Sequence, residues 1–121
     1  MERAHKKLRV WQESMLLVKM IYDLTRSLPD DERFGLISQM RRAAVSVPSN
    51  IAEGSARQTK KESIQFYSIS RGSLSELDTQ LQLCQDLGFL TSDKTTNVLT
   101  RLETVGALLN GLIRFKKAST R

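Results

Sequence analysis

The chain has 121 residues, of which 40% are hydrophobic and 26% charged, with one Cys and one His. That describes one folded domain over 1–121, and it excludes a disordered polymer, a disulfide framework and a span of roughly 20 apolar residues in a membrane. A net charge of +6 and a pI near 9.8 favour polyanionic partners such as nucleic acid, unless the surplus Lys and Arg only solvate the surface.

Residues 1–9 read as a basic arm carrying Arg3, Lys6, Lys7 and Arg9. Followed by Met15 to Ile21 the arm has the superficial look of a secretory leader, but Lys19 interrupts the apolar run and no small-residue cleavage site follows. Together with a lone Cys84 on an apolar stripe, this makes the cytoplasm the expected location. The first helix is expected from about Val10. Its main stripe is Val10, Leu17, Ile21, Leu24 and Leu28, flanked by Trp11, Met15, Val18 and Tyr22, a breadth that implies contacts beyond one neighbour. Pro29 ends it, and Asp30, Asp31 and Glu32 supply an acidic first turn to the second helix, where negative charge meets the positive end of the dipole.

On that second helix Phe34, Ile37, Met40, Ala44, Val47 and Ile51 recur by threes and fours on one face. The opposite face collects Gln39, Arg42, Ser46, Ser49, Asn50 and Glu53. These are small, hydroxyl-bearing or amide-bearing residues rather than the Lys and Glu of a solvated face, and they suit close helix approach with side-chain hydrogen bonds. Both faces are therefore expected to be covered, one by the chain's own helices and one by another subunit. Pro48 lacks the N–H for the carbonyl of Ala44, a cost of roughly 3 kcal/mol, so a kink is expected there. Gly54 reads as a C-cap that ends the helix near Glu53.

The third helix opens on Thr59-Lys60-Lys61-Glu62, a capping box in which Thr59 covers a free amide and Glu62 reaches back. Tyr67, Ser70, Leu74, Leu77, Leu81 and Cys84 form its stripe. Gly72 and Ser73 leave a smooth patch for another helix backbone, since a mid-helix Gly costs about 1 kcal/mol against Ala and calls for a reason. Leu87-Gly88-Phe89 reads as a Schellman stop, and Ser92 as the N-cap of a fourth helix. There Val98, Leu102, Val105, Leu109 and Leu112 repeat, with Leu99, Leu108 and Ile113 beside them. The run from Arg114 is basic, leaving 115–121 as a basic tail.

Gln39, Arg41-Arg42-Ala43-Ala44, Ser46, Pro48 and Asn50-Ile51-Ala52-Glu53-Gly54 resemble the signature of a bacterial four-helix-bundle family, related to proteins encoded in 23S ribosomal RNA intervening sequences. Gly72-Ser73-Leu74-Ser75-Glu76-Leu77 and Leu87-Gly88-Phe89-Leu90 are similar to its second block, and Trp11-Gln12 with Tyr22 to its opening. The resemblance implies a homo-oligomeric bundle, a pentamer, with a nucleic-acid-binding relative among the accessory proteins of diversity-generating retroelements. It implies no particular activity.

Four helices joined by short turns, without strand alternation, predict an all-α, up-down-up-down antiparallel bundle with its second helix kinked at Pro48. That topology sorts the charge. Arg3, Lys6, Lys7, Arg9, Arg57, Lys60, Lys61, Arg114, Lys116, Lys117 and Arg121 fall at one pole against Glu2 and Glu62. Asp30, Asp31, Glu32, Asp86 and Asp93 fall at the other. In a ring of subunits the basic poles would join into a collar; the plainer reading is that the cations complement helix C-termini. One His and one Cys cannot build a zinc site or a His-based general base, and neither metal nor cofactor is expected. Glu53 and Glu76 could be imagined as acid and base, but Arg41, Arg42 and Arg57 are natural ion partners for them. The expected function is non-catalytic binding of RNA or DNA through phosphates by Lys6, Lys7, Arg9, Arg57, Lys60, Lys61, Arg114, Lys116 and Lys117. Gln39, Arg42, Ser46, Pro48, Asn50, Glu53, Gly72 and Ser73 serve as interface or structural motif. The alternatives are a scaffold that docks a nucleic-acid enzyme such as a reverse transcriptase, and an enzyme of unknown class.

Overall fold

The computed structural model describes residues 3–119. Four helices dominate: α1 (Arg9–Thr25), α2 (Leu36–Ser55), α3 (Lys60–Asp86) and α4 (Ser92–Ala118), with 3-10 turns at Ala4–Lys7 and Asp30–Glu32. Each helix packs on its neighbour in sequence, α4 closes back on α1, and the diagonal pairs stay apart. This is the antiparallel up-down-up-down four-helix bundle.

The apolar stripes meet in one core. Leu17 and Ile21 of α1, Met40, Ala44, Val47 and Ile51 of α2, Leu77, Leu81 and Cys84 of α3, and Val105 and Leu109 of α4 are wholly buried. Pro48 is buried as well, and α2 runs through it without interruption to Ser55. Phe34 departs from its stripe: it lies two residues before α2 begins and is 89% exposed. A helical period binds only residues inside the helix, so the match of Phe34 to that period carried no information.

The ends of the helices show how local chemistry shapes the bundle. Asp30–Glu32 form a separate 3-10 turn rather than the first turn of α2, yet the Glu32 carboxylate still reaches the helix, accepting from the Leu36 N–H at 3.1 Å. Thr59 caps α3 by accepting from the Glu62 N–H at 3.2 Å, while the Glu62 carboxylate accepts from the Thr59 hydroxyl at 2.8 Å. The expected box is thus present with Glu62 on the hydroxyl. At the far end of α3 Gly88 adopts φ +78, its N–H donates to Gln85 O at 3.0 Å, and the Phe89 N–H donates to Cys84 O at 2.8 Å. Those are the two bonds of a Schellman motif. Thr91, not Ser92, occupies the cap position of α4, and it makes no side-chain cap bond.

Gly54 is the main correction. It lies inside α2, has no positive φ, and is buried. A Cβ built on it would stand 2.6 Å from Tyr67 Cε1 and 3.0 Å from the Ser63 carbonyl oxygen. Close helix approach, not chain reversal, requires glycine there. The Tyr67 ring is 3% exposed and its hydroxyl is held by Ser55 Oγ at 3.0 Å, so it has little room to yield. Gly54→Ala is therefore expected to destabilise the fold by about 1–3 kcal/mol, the usual cost of overpacking. Urea unfolding should show a lower midpoint at unchanged slope; a midpoint equal to the parent's would mean that the ring moves aside freely.

Candidate nucleic-acid interface

Four separate stretches converge at one end of the bundle. The first turn of α3 is tied to the last turn of α4 by Lys60, whose Nζ donates to the carbonyl oxygens of Lys117 and Ser119, each at 3.1 Å. The 3-10 turn of the arm packs on α1 and on the end of α2, and its His5 ring meets Trp11 edge-on at 5.1 Å. The arm is thus part of the body of the domain, and the basic tail is helical as far as Ala118. Arg3, Lys6, Lys7, Arg9, Arg57, Lys60, Lys61, Arg114, Lys116 and Lys117 all stand at this end, with Glu53 and Glu62 as its carboxylates. Glu2 and Arg121 lie outside the described residues. The opposite end holds Asp30, Asp31, Glu32, Asp86 and Asp93, together with Arg33, Lys94 and the exposed pair Arg26–Asp23.

The cations at the basic end are of two kinds. Lys60 is half-buried and serves the C-terminal carbonyls of α4. Arg57 folds back along α2, donating to Glu53 O at 3.3 Å, pairing with the Glu53 carboxylate and covering the Phe66 ring at 4.9 Å. By contrast Arg3, Lys6, Lys7, Arg9, Lys61, Arg114, Lys116 and Lys117 make no side-chain hydrogen bond or ion pair with any described residue. Charge patterning assigns no role to Phe115, yet it stands within this cationic run with its ring 72% exposed.

A polar seam runs along α2 and α3. Ser73 Oγ donates to Ser46 Oγ at 2.8 Å, and Asn50 Nδ2 donates to the same oxygen and to Ser46 O, each at 2.9 Å. Asn50 therefore bonds within its own helix, and Ser46 is the residue that reaches α3. Gln39, Arg42 and Glu53 are exposed on the chain. So is Gly72, and a Cβ there would meet nothing within 4 Å, so no described residue makes the close approach expected at Gly72.

The family model for the 23S rRNA-intervening sequence protein matches residues 6–111. The chain belongs to this family. No curated protein sequence matches it. Among solved structures it is similar to a protein with unknown function from the S23 ribosomal protein family of Bacteroides thetaiotaomicron, at 21% identity and a TM-score of 0.80, over 87% of this chain and 95% of that one. At that identity the likeness speaks for the fold of this chain and not for its activity.

The chemistry within the bundle is plain. No cluster of metal-binding side chains occurs among the described residues, and none of their helices is long and apolar enough to cross a membrane. Burial pushes the Cys84 thiol up, with the Glu32 charge adding to the effect, which takes it away from nucleophilic use. Of the imagined acid–base pair, Glu53 is paired with Arg57 and Glu76 accepts from Gln80 Nε2 at 3.2 Å.

The seam yields a ranking. Ser46→Ala leaves the hydroxyl of Ser73, a residue 7% exposed, without its acceptor and should cost about 1–3 kcal/mol. Asn50→Leu removes bonds within one helix at a half-buried position and should cost about 0.5–1.5 kcal/mol. Urea midpoints of the two variants decide it; the reverse order would place the weight of the seam on Asn50.

Proposed function

We propose that the protein is a non-catalytic, homo-oligomeric nucleic-acid-binding protein that holds RNA or DNA by its phosphates at the basic end of the bundle. The observation that carries this reading is the set of cations there that have no hydrogen-bond or ion-pair partner among the described residues. A cation already bonded within the chain must break that bond to meet a phosphate, whereas Lys61, Arg114, Lys116 and Lys117 need only release counterions. Arg57 and Lys60 shape the surface and contribute less directly, since helix ends occupy them. Phosphate contacts of this kind position a polyanion without reading its sequence.

Assembly as a homo-oligomer, a pentamer on the family resemblance, is supported by the exposed Gly72 beside the polar seam. A glycine in mid-helix costs about 1 kcal/mol and no described residue uses the space it leaves. The backbone of a second copy is the occupant that would.

The test is a salt titration. Replacing Lys61, Arg114, Lys116 and Lys117 together by Gln should weaken binding to unrelated sequences alike. It should also flatten the dependence of log affinity on log salt, by about 0.9 for each phosphate no longer neutralised on duplex DNA or about 0.7 on single strands. Lys94→Gln at the opposite end should change little. A four-site variant that tracks the parent through the titration removes this surface from consideration, and salt-insensitive capture of a reverse transcriptase without retention on nucleic acid would favour a docking scaffold.

For assembly, Gly72→Gln should lower the mass of the eluting particle in light scattering while helical content persists. A variant with the parent's mass would exclude the seam as the subunit contact.

A further inference from the structure

We propose that Phe115 is a stacking platform for an unpaired base, so that the basic end takes single-stranded nucleic acid in preference to duplex. This inference rests on the phosphate-binding reading above and names its substrate class.

The ring has an uncommon setting. It is 72% exposed on α4. Of its neighbours along that helix face, Gly111 and Ala118, four residues before it and three after, carry no side chain that could cover it, and Leu112, three before, lines the cleft that the ring borders. A Cβ placed on Gly111 would meet only the Arg114 Nη2 atom, at 3.8 Å, which puts a guanidinium one helical turn away from the ring along that face. Lys116 and Lys117 follow directly, and none of the three side chains makes a hydrogen bond or ion pair with a described residue. On its inner side the ring borders a cleft of about 160 Å³ with Ala4, Leu8, Tyr67 and Leu112 as walls and Lys116 on its margin. That volume falls well below the roughly 300–1,000 Å³ of small-molecule sites, so a metabolite enclosed in the cleft is a poor fit. A flat group laid on the open ring while cations hold its charged tether is a good one.

Phe34 supplies the contrast. It is more exposed still, at 89%, but it follows Asp30, Asp31 and Glu32, whose charge outweighs that of Arg33 and repels phosphate. An exposed ring alone is no site, and the charge around it decides. Every base has a π face, so stacking on Phe115 tolerates any sequence, as do phosphate contacts. In a duplex the bases already stack on each other and a surface ring cannot reach between them without unpairing, so the ring adds affinity only on single strands.

The experiment uses the full chain with three probes: oligothymidylate, an abasic strand of the same length, and a duplex. The abasic strand keeps the phosphates and lacks the bases. Phe115→Ala should weaken binding to oligothymidylate about 5- to 150-fold while leaving the abasic strand, the duplex and the salt slope unchanged. Phe115→Trp should restore the affinity, with fluorescence quenched on binding. Equal affinities of parent and Phe115→Ala for oligothymidylate, or an equal weakening on the abasic strand, would overturn the platform while phosphate binding stands. A lower particle mass for Phe115→Ala would also overturn it, by assigning the ring to a subunit contact. Failure of the parent to bind any of the three probes would remove the phosphate-binding reading itself and the platform with it.

Discussion

The contact between the Tyr67 ring and the bare backbone at Gly54 sets how closely α2 can approach α3, at the end of the bundle where the cations gather. Further along the same helix pair the backbones come close enough for Ser70 Oγ to donate to the buried Val47 carbonyl oxygen at 2.8 Å, and for Ser73 to reach Ser46. Each contact needs a small residue on at least one side, and α2 and α3 supply Ala43, Ala44, Gly54, Ser63, Ser70 and Ser73, all buried. The hydroxyls serve twice: they let the backbones approach, and they satisfy polar groups that the approach would otherwise strand. The α1–α4 side is built differently. It uses the part-buried Arg101–Glu13 pair at 2.7 Å and larger apolar side chains, so α2 and α3 form the narrow side of the bundle.

How much of this is legible from residues alone varies with the range of the cause. The Schellman stop at Gly88 can be read because its reason lies within four residues: a reversal that needs φ above zero and an apolar follower. The Thr59 cap is legible for the same reason. Gly54 misleads because a glycine near a helix end has two possible causes, and the one that operates here comes from Tyr67 on another helix. Gly72 shows the converse. The rule that a mid-helix glycine marks close approach is sound, but no atom of the described residues makes the approach. Arg41 illustrates a third kind of case. It reads as an ion partner for a glutamate, while in the bundle it donates to Thr25 Oγ1 at 3.0 Å and lies over the Tyr22 ring at 4.5 Å, tying α2 to the end of α1.

The candidate interface is legible in the sequence as a set of positions and not as a set of roles. Alternating helix direction is enough to bring the arm, the α2–α3 turn and the end of α4 together, so the membership of the basic end follows from topology. What each cation does depends on atoms one helix away. Lys60 looks the same as Lys61 in the sequence, yet one lies against the end of α4 and the other faces solvent, and the difference is the phase of two residues on the first turn of α3. Phe115 escapes charge counting altogether because it has no charge, although an aromatic inside a basic run is a readable signal where nucleic acid is the suspected partner.

The two readings of the basic end therefore divide its residues between them. In an antiparallel bundle this end holds two helix N-termini, of α1 and α3, and two C-termini, of α2 and α4, so the partial charges of the dipoles largely offset one another. Arg57 returns to a carbonyl near the end of α2 and Lys60 to two at the end of α4, and these two cations do complement helix termini. Those carbonyls are thus served, and Lys116 and Lys117 add two further cations to the last turn of α4, with Arg114 one turn earlier and Lys6, Lys7 and Arg9 on the other side of the same surface. Cations near an α4 C-terminus are favourable for that helix, but only by a few tenths to about 1 kcal/mol and only within its last turn. Arg9 and Lys61 stand at helix starts, where the dipole disfavours positive charge. Dipole complementarity cannot place them there; the proposed phosphate contacts would use them.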